Sequence, residues 1–118
     1  MTHKICLKIS NLRKLGYFSL REWMEEPGNV YVGRRGRLWI TEEDKTKTLF
    51  MYPDSKWKNP YKVGGEMSLE RSLQLYREYL TSTGLINEVQ ELKGLNLGCF
   101  CKDGEKCHAQ LLVDLIEA

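Results

Sequence analysis

Between Leu95 and His108 the chain reads Leu-Asn-Leu-Gly-Cys-Phe-Cys-Lys-Asp-Gly-Glu-Lys-Cys-His, which places three of its four cysteines and one of its two histidines within ten positions. The order of residue types dictates a strand, a turn and a helix. Leu95 to Cys101 is a short apolar run suited to a buried strand, and Lys102 to Lys106 is a charged turn carrying Gly104. From Cys107 onward Leu111, Leu112, Leu115 and Ile116 recur at helical spacing. Cys107 and His108 therefore fall at a helix N-terminus, where unpaired backbone N–H groups and the helix dipole favour an anion or a thiolate.

The rest of the chain supports an α/β domain. Lys4 to Ser10 alternates Ile5, Leu7 and Ile9 against polar neighbours and reads as a first strand, with Cys6 as a filler. Ser19 is placed to cap a short helix over Leu20 to Glu26, which ends before Pro27-Gly28-Asn29. Val30 to Arg34 is a second strand whose Gly33 permits close approach of the backbone to a ligand, with Arg34 beside it. Two β-rich runs, Arg37 to Thr41 and Thr48 to Tyr52, flank a charged turn and predict a hairpin insertion over 37–52. Pro53 to Gly65 has no periodicity and reads as a long loop.

Ser68 caps a helix in which Leu69, Leu73, Tyr76 and Leu80 form a core-facing stripe, and Gly84 breaks it. A shorter helix follows over Leu85 to Leu92, closed by Gly94. At 118 residues the chain predicts one compact α/β domain, with a short, mostly parallel sheet flanked by helices.

Composition narrows the function. A net charge of +2 does not indicate a nucleic-acid partner, though it leaves one open, and no apolar run reaches membrane-spanning length. The start of the chain lacks a signal-peptide core, so a cytoplasmic location is expected, with the cysteines as thiols or ligands rather than a disulfide framework. From Tyr31 to Gly65, eight Lys or Arg stand against four Asp or Glu, which concentrates positive charge around the second strand and the loop.

In open α/β sheets ligands bind outside the carboxyl ends of the strands. If the strands ending at Gly33-Arg34 and at Cys99-Phe100-Cys101 run parallel and adjacent, Arg34, Cys101, Cys107 and His108 share one edge. Such a set suits a small anionic or nucleotide-like ligand: Gly33, Arg34 and Lys58 at the anion, Asn59 fixing orientation, Trp57 or Tyr61 covering a base. Cys107 and His108 would then be the reacting pair, a thiolate with an acid or base beside it. Each has a plainer reading, Arg34 as a surface ion pair and the aromatics as core.

No cofactor is required by this reading. Zinc on Cys99, Cys101, Cys107 and His108 is the alternative, although i, i+2 strand positions and adjacent helix positions do not form a ready tetrahedron. It would make the chain a zinc-stabilised module for a protein or nucleic-acid partner. A redox dithiol joining Cys99 or Cys101 to Cys107 is a further alternative, without the Cys-x-x-Cys signature.

The series Val30 to Arg34, Trp57 to Tyr61, Ser68 to Leu80, Leu97 to Cys101 and Cys107-His108 resembles the family catalogued as domain of unknown function 4326, small proteins of bacteria, phages and large DNA viruses. The resemblance carries over to Gly33, Arg34, Trp57, Asn59, Pro60, Cys99, Cys101, Cys107 and His108, and implies no established reaction. The longer hairpin and the absence of a proline before Cys107 are departures from it. A viral setting would make the location the host cytoplasm and adds a third reading, an accessory protein that sequesters a nucleotide signal.

Overall fold

The computed structural model describes residues 1–100 and 107–118. Among these residues five strands and four α-helices follow one another in the order β1 (His3–Cys6), α1 (Ile9–Lys14), α2 (Leu20–Glu25), β2 (Asn29–Tyr31), β3 (Gly36–Thr41), β4 (Lys47–Tyr52), α3 (Leu69–Thr83), β5 (Asn96–Cys99) and α4 (His108–Glu117); a 3₁₀ helix, Leu85–Leu92, lies between α3 and β5. The main sheet has the order β1-β5-β2, with β5 parallel to both neighbours. The predicted hairpin is a separate antiparallel pair, β3 with β4. No helix among the described residues is long and apolar enough to cross a membrane.

Alternation along these strands divides the interior in two. Leu97 and Cys99 of β5, with Val30 and Val32, face Tyr76 and Leu80 of α3, Val89 and Leu92 of the 3₁₀ helix, and Ala109, Leu112 and Ile116 of α4. On the opposite face Ile5, Leu7 and Tyr31 pack with Leu12, Leu20 and Trp23 of the two short helices, and Leu38, Phe50 and Tyr52 of the hairpin close that core from outside. The hairpin is thus a wall of the second core. Its other face leaves Trp39 65% exposed.

The helix starts obey their caps. The Ser19 hydroxyl accepts from the Glu22 N–H at 3.3 Å and that of Ser68 from the Arg71 N–H at 3.0 Å, each meeting a donor that the first turn leaves unpaired. Gly84 ends α3 with φ +81°, the left-handed region open to glycine. The first strand is shorter than the alternation predicts. The Asn11 side chain donates to the Cys6 carbonyl at 2.8 Å, and the Lys8 carbonyl accepts from Asn11 N, so the chain turns into α1 and leaves Ile9 half exposed. The stripe of α3 is also displaced: Ser72, Tyr76 and Leu80 are its buried residues.

Gly98 is fixed by packing. A Cβ there would sit 2.8 Å from Leu7 Cδ1 and nearer still to the Trp23 ring, which lies flush against the strand. Both neighbours are fully buried and have no open side to move into. Gly98→Ala should therefore destabilise the fold by about 1–3 kcal/mol, the usual magnitude for overpacking a tight core. Urea titration followed by tryptophan fluorescence tests this, and a midpoint equal to wild type would show that Trp23 can retreat.

Candidate functional site

Because β2 and β5 are parallel and hydrogen bonded, their continuations, Val32-Gly33-Arg34 and Phe100, emerge at one edge of the sheet. There they meet the start of α4 and the loop 53–65, and a cleft of about 670 Å³ opens between them. Cys99, Cys107 and His108 line it from the sheet and helix; Tyr31, Tyr52 and Phe100 supply aromatic surface; Lys8, Arg34, Arg35 and Lys62 bring positive charge. Leu69 and Leu73, expected in the core, line this cleft.

The loop is held by one polar knot. Asn59, buried between loop and α3, donates from Nδ2 to the Ser72 hydroxyl at 2.9 Å, accepts the Tyr61 N–H on Oδ1 at 2.9 Å, and accepts Arg34 Nε on its backbone oxygen at 2.9 Å. Ser72 in turn donates to the Tyr61 carbonyl at 2.5 Å. Asn59 is thus an internal fastener that orients Arg34. From the other side Tyr31 Oη donates to the Arg34 carbonyl at 2.5 Å. Burial pushes the Tyr31 phenol well above its ordinary range, which keeps the proton that this bond needs. The same ring takes up the space beside Gly33, where an added Cβ would lie 2.5 Å from Tyr31 Oη. What approaches Gly33 closely is therefore the phenol.

Other residues singled out in the sequence lie elsewhere. Trp57 is in the main core, its carbonyl accepting Tyr76 Oη at 2.5 Å and Lys56 Nζ standing 5.0 Å from its ring centroid. It anchors the loop and does not line the cleft. Lys58 pairs with Asp54 at 3.2 Å outside the cleft, whereas Tyr61 does line it. Cys101 lies outside the described residues. The cleft's other cations escaped attention for an identifiable reason: Arg35 and Lys62 fall within the basic stretch 31–65 but carry no motif, and Lys8 arrives from beyond β1 only through the fold.

His108 is nearly buried at the start of α4. Its Nε2 lies 2.6 Å from the Val32 carbonyl, and its ring stands edge-on to Tyr76 with centroids 5.4 Å apart. A carbonyl only accepts, so Nε2 is the protonated nitrogen of the neutral ring. Burial lowers its pKa; the Val32 bond and the Cys107 charge oppose this, the nearby Arg34 charge reinforces it, and the shift is downward overall. Cys107, the extended N-cap of α4, sets its sulfur 3.5 Å from that of Cys99. Among the described residues no three His, Cys, Asp or Glu side chains converge to hold a metal, so the zinc alternative gains no ligand set from them.

With this geometry in hand, comparison with known proteins places the chain. The profile described as Domain of unknown function (DUF4326) matches residues 19–118. The chain belongs to that family. The match begins at the cap of α2 and takes in every residue of the cleft except Lys8. An uncharacterized protein of Acanthamoeba polyphaga mimivirus is 36% identical over 96 residues, covering 74% of this chain. The matched part spans 65% of that viral relative's length. No solved structure matches the chain.

The depressed pKa of His108 sets a pH dependence. Its neutral form is favoured by folding, so this contribution is complete above the unfolded value of 6.5 and is lost as pH falls from there through the lowered folded value. Melting temperature should therefore decline on acidification from pH 7 towards 5. In His108→Gln, which cannot titrate, that decline should flatten. Parallel profiles in wild type and variant would place the source elsewhere.

Proposed function

We propose that the cleft binds a small, anionic, nucleotide-like ligand. The observation that carries this reading is an asymmetry of charge. Lys8, Arg34, Arg35 and Lys62 line the cleft without a single acidic lining residue among those described. The ion pairs among the described residues involve Arg21, Lys56 and Lys58, none of which lines the cleft. Asp54 stands beside Arg35, accepting its backbone N–H at 2.6 Å, but it does not line the cleft; cations clustered around a concave site repel one another and favour a multiply charged anion.

Arg34 is the best prepared of them. Held at Nε by Asn59 and at its carbonyl by Tyr31, it presents a guanidinium whose freedom is already reduced, which lowers the entropic cost of fixing a phosphate. The half-exposed Phe100 with Tyr52, rings 6.4 Å apart and 27° from parallel, offers a stacking surface for a base, a role the sequence reading gives to Trp57 or Tyr61. The reading is of binding first. In this ring Nε2 carries the proton toward the Val32 carbonyl and Nδ1 is the unprotonated nitrogen, so base chemistry beside Cys107 would fall to Nδ1 with the Val32 bond in place.

Titration calorimetry with nucleoside mono-, di- and triphosphates tests the proposal. Binding should strengthen with phosphate number and weaken with salt. Arg34→Ala should reduce affinity about tenfold or more, the worth of a charge-assisted hydrogen bond. Its melting temperature should fall by only a few degrees, since one bond to Asn59 is lost. Lys62→Ala should weaken binding with no change in melting. Absence of heat with every nucleotide, or full affinity in Arg34→Ala, would remove the reading; chromatography of the mixture separates retention of intact ligand, as a sequestering protein requires, from turnover.

A further inference from the structure

We infer that Cys99 and Cys107 are a redox-active dithiol, the site at which hydrogen peroxide converts two thiols of this chain into one disulfide. Their sulfur atoms are already in contact at 3.5 Å. A disulfide bond is about 2.0 Å long, so roughly 1.5 Å of closure remains, within reach of rotation about the two Cα–Cβ bonds. The partners come from different elements. Cys99 ends β5, with its carbonyl fixed by the Leu7 N–H at 2.8 Å, and Cys107 is the extended N-cap of α4. The Cys107 side chain makes no capping bond to the helix, so its rotation breaks none of the helix's own hydrogen bonds.

Access and selectivity point the same way. Both cysteines are buried, yet both line the cleft, through which a molecule as small as peroxide arrives without unfolding. Cys6 sits in register with Cys99 on the neighbouring strand, but no corresponding sulfur contact joins it to Cys99 among the described residues. Among the described residues, the sulfur contact thus joins Cys99 to Cys107 and not to Cys6.

The step balances. One sulfur attacks the peroxide O–O bond; an S–O bond forms, the O–O bond breaks, and the departing hydroxide takes the thiol proton as water. The second sulfur then attacks the resulting sulfenic acid, forming S–S, breaking S–O and releasing a second water. Two thiols have given up two electrons and peroxide has accepted them. The product ties the end of β5 to the start of α4.

Intact-mass spectrometry of the native chain after one equivalent of hydrogen peroxide, quenched and alkylated, tests this without any ligand, so it stands apart from the fate of the anion-binding proposal. The expected result is loss of two hydrogens, a linked peptide joining Cys99 to Cys107, and restoration by dithiothreitol. The same link should form in Cys101→Ser. Linkage through Cys101 or Cys6, or uptake of oxygen atoms with no linked peptide, overturns the inference. Cys99→Ser and Cys107→Ser should each halt at a sulfenic acid trapped by dimedone; if either fails to fold, the maps of wild type and Cys101→Ser decide alone.

Discussion

A strand of four residues, β5, is paired on both sides in parallel, and the molecule depends on that double pairing. Parallel strands are stable only when both faces are covered, so β5 must serve two cores at once. It does so with unlike residues: Leu97 and Cys99 fill one interior, while Gly98 offers bare backbone to Trp23 on the other. The direction of β5 also decides where chemistry can assemble. Since β2 runs the same way, Arg34 and the start of α4 are delivered to one edge, as the rule for open α/β sheets requires.

What stands at that edge is prepared unevenly. Arg34 is tied down by Asn59 and Tyr31, with Asn59 itself satisfied on both ends of its amide. A buried polar network is useful only when each member is paired, and this one meets that condition. Lys8, Arg35 and Lys62, by contrast, sit exposed on the rim and add field without fixed geometry. One tethered guanidinium among exposed charges suits orientation by a single contact and attraction by several.

Much of the fold was legible because its signals are local. Ser19, Ser68 and Gly84 marked helix boundaries through chemistry that acts within a few residues, and the alternation of elements implied a parallel sheet with a hairpin inserted. The shared edge of Arg34, Cys107 and His108 was legible only as a condition, because adjacency of β2 and β5 is not a local property. Trp57 shows why the remainder was not. Aromatic loop residues serve cores and ligands alike, and only the position of Tyr76 across the chain makes this one an anchor. The placing of Cys6 beside Cys99 was equally invisible, set by a register between distant strands.

The placement of β5 between β1 and β2 also orders events in time. Both neighbours precede it in the chain, one of them by nearly the whole distance from His3 to Asn96. Neither can acquire its ladder until residues 96–99 have been synthesised, and contacts of such sequence separation form slowly. Until then Leu7, Trp23 and Tyr76 have no strand to cover, and two strand edges stay open on the nascent chain. Completion of both cores thus waits on one short segment, made near the end of the described chain, finding its place between two strands made long before it.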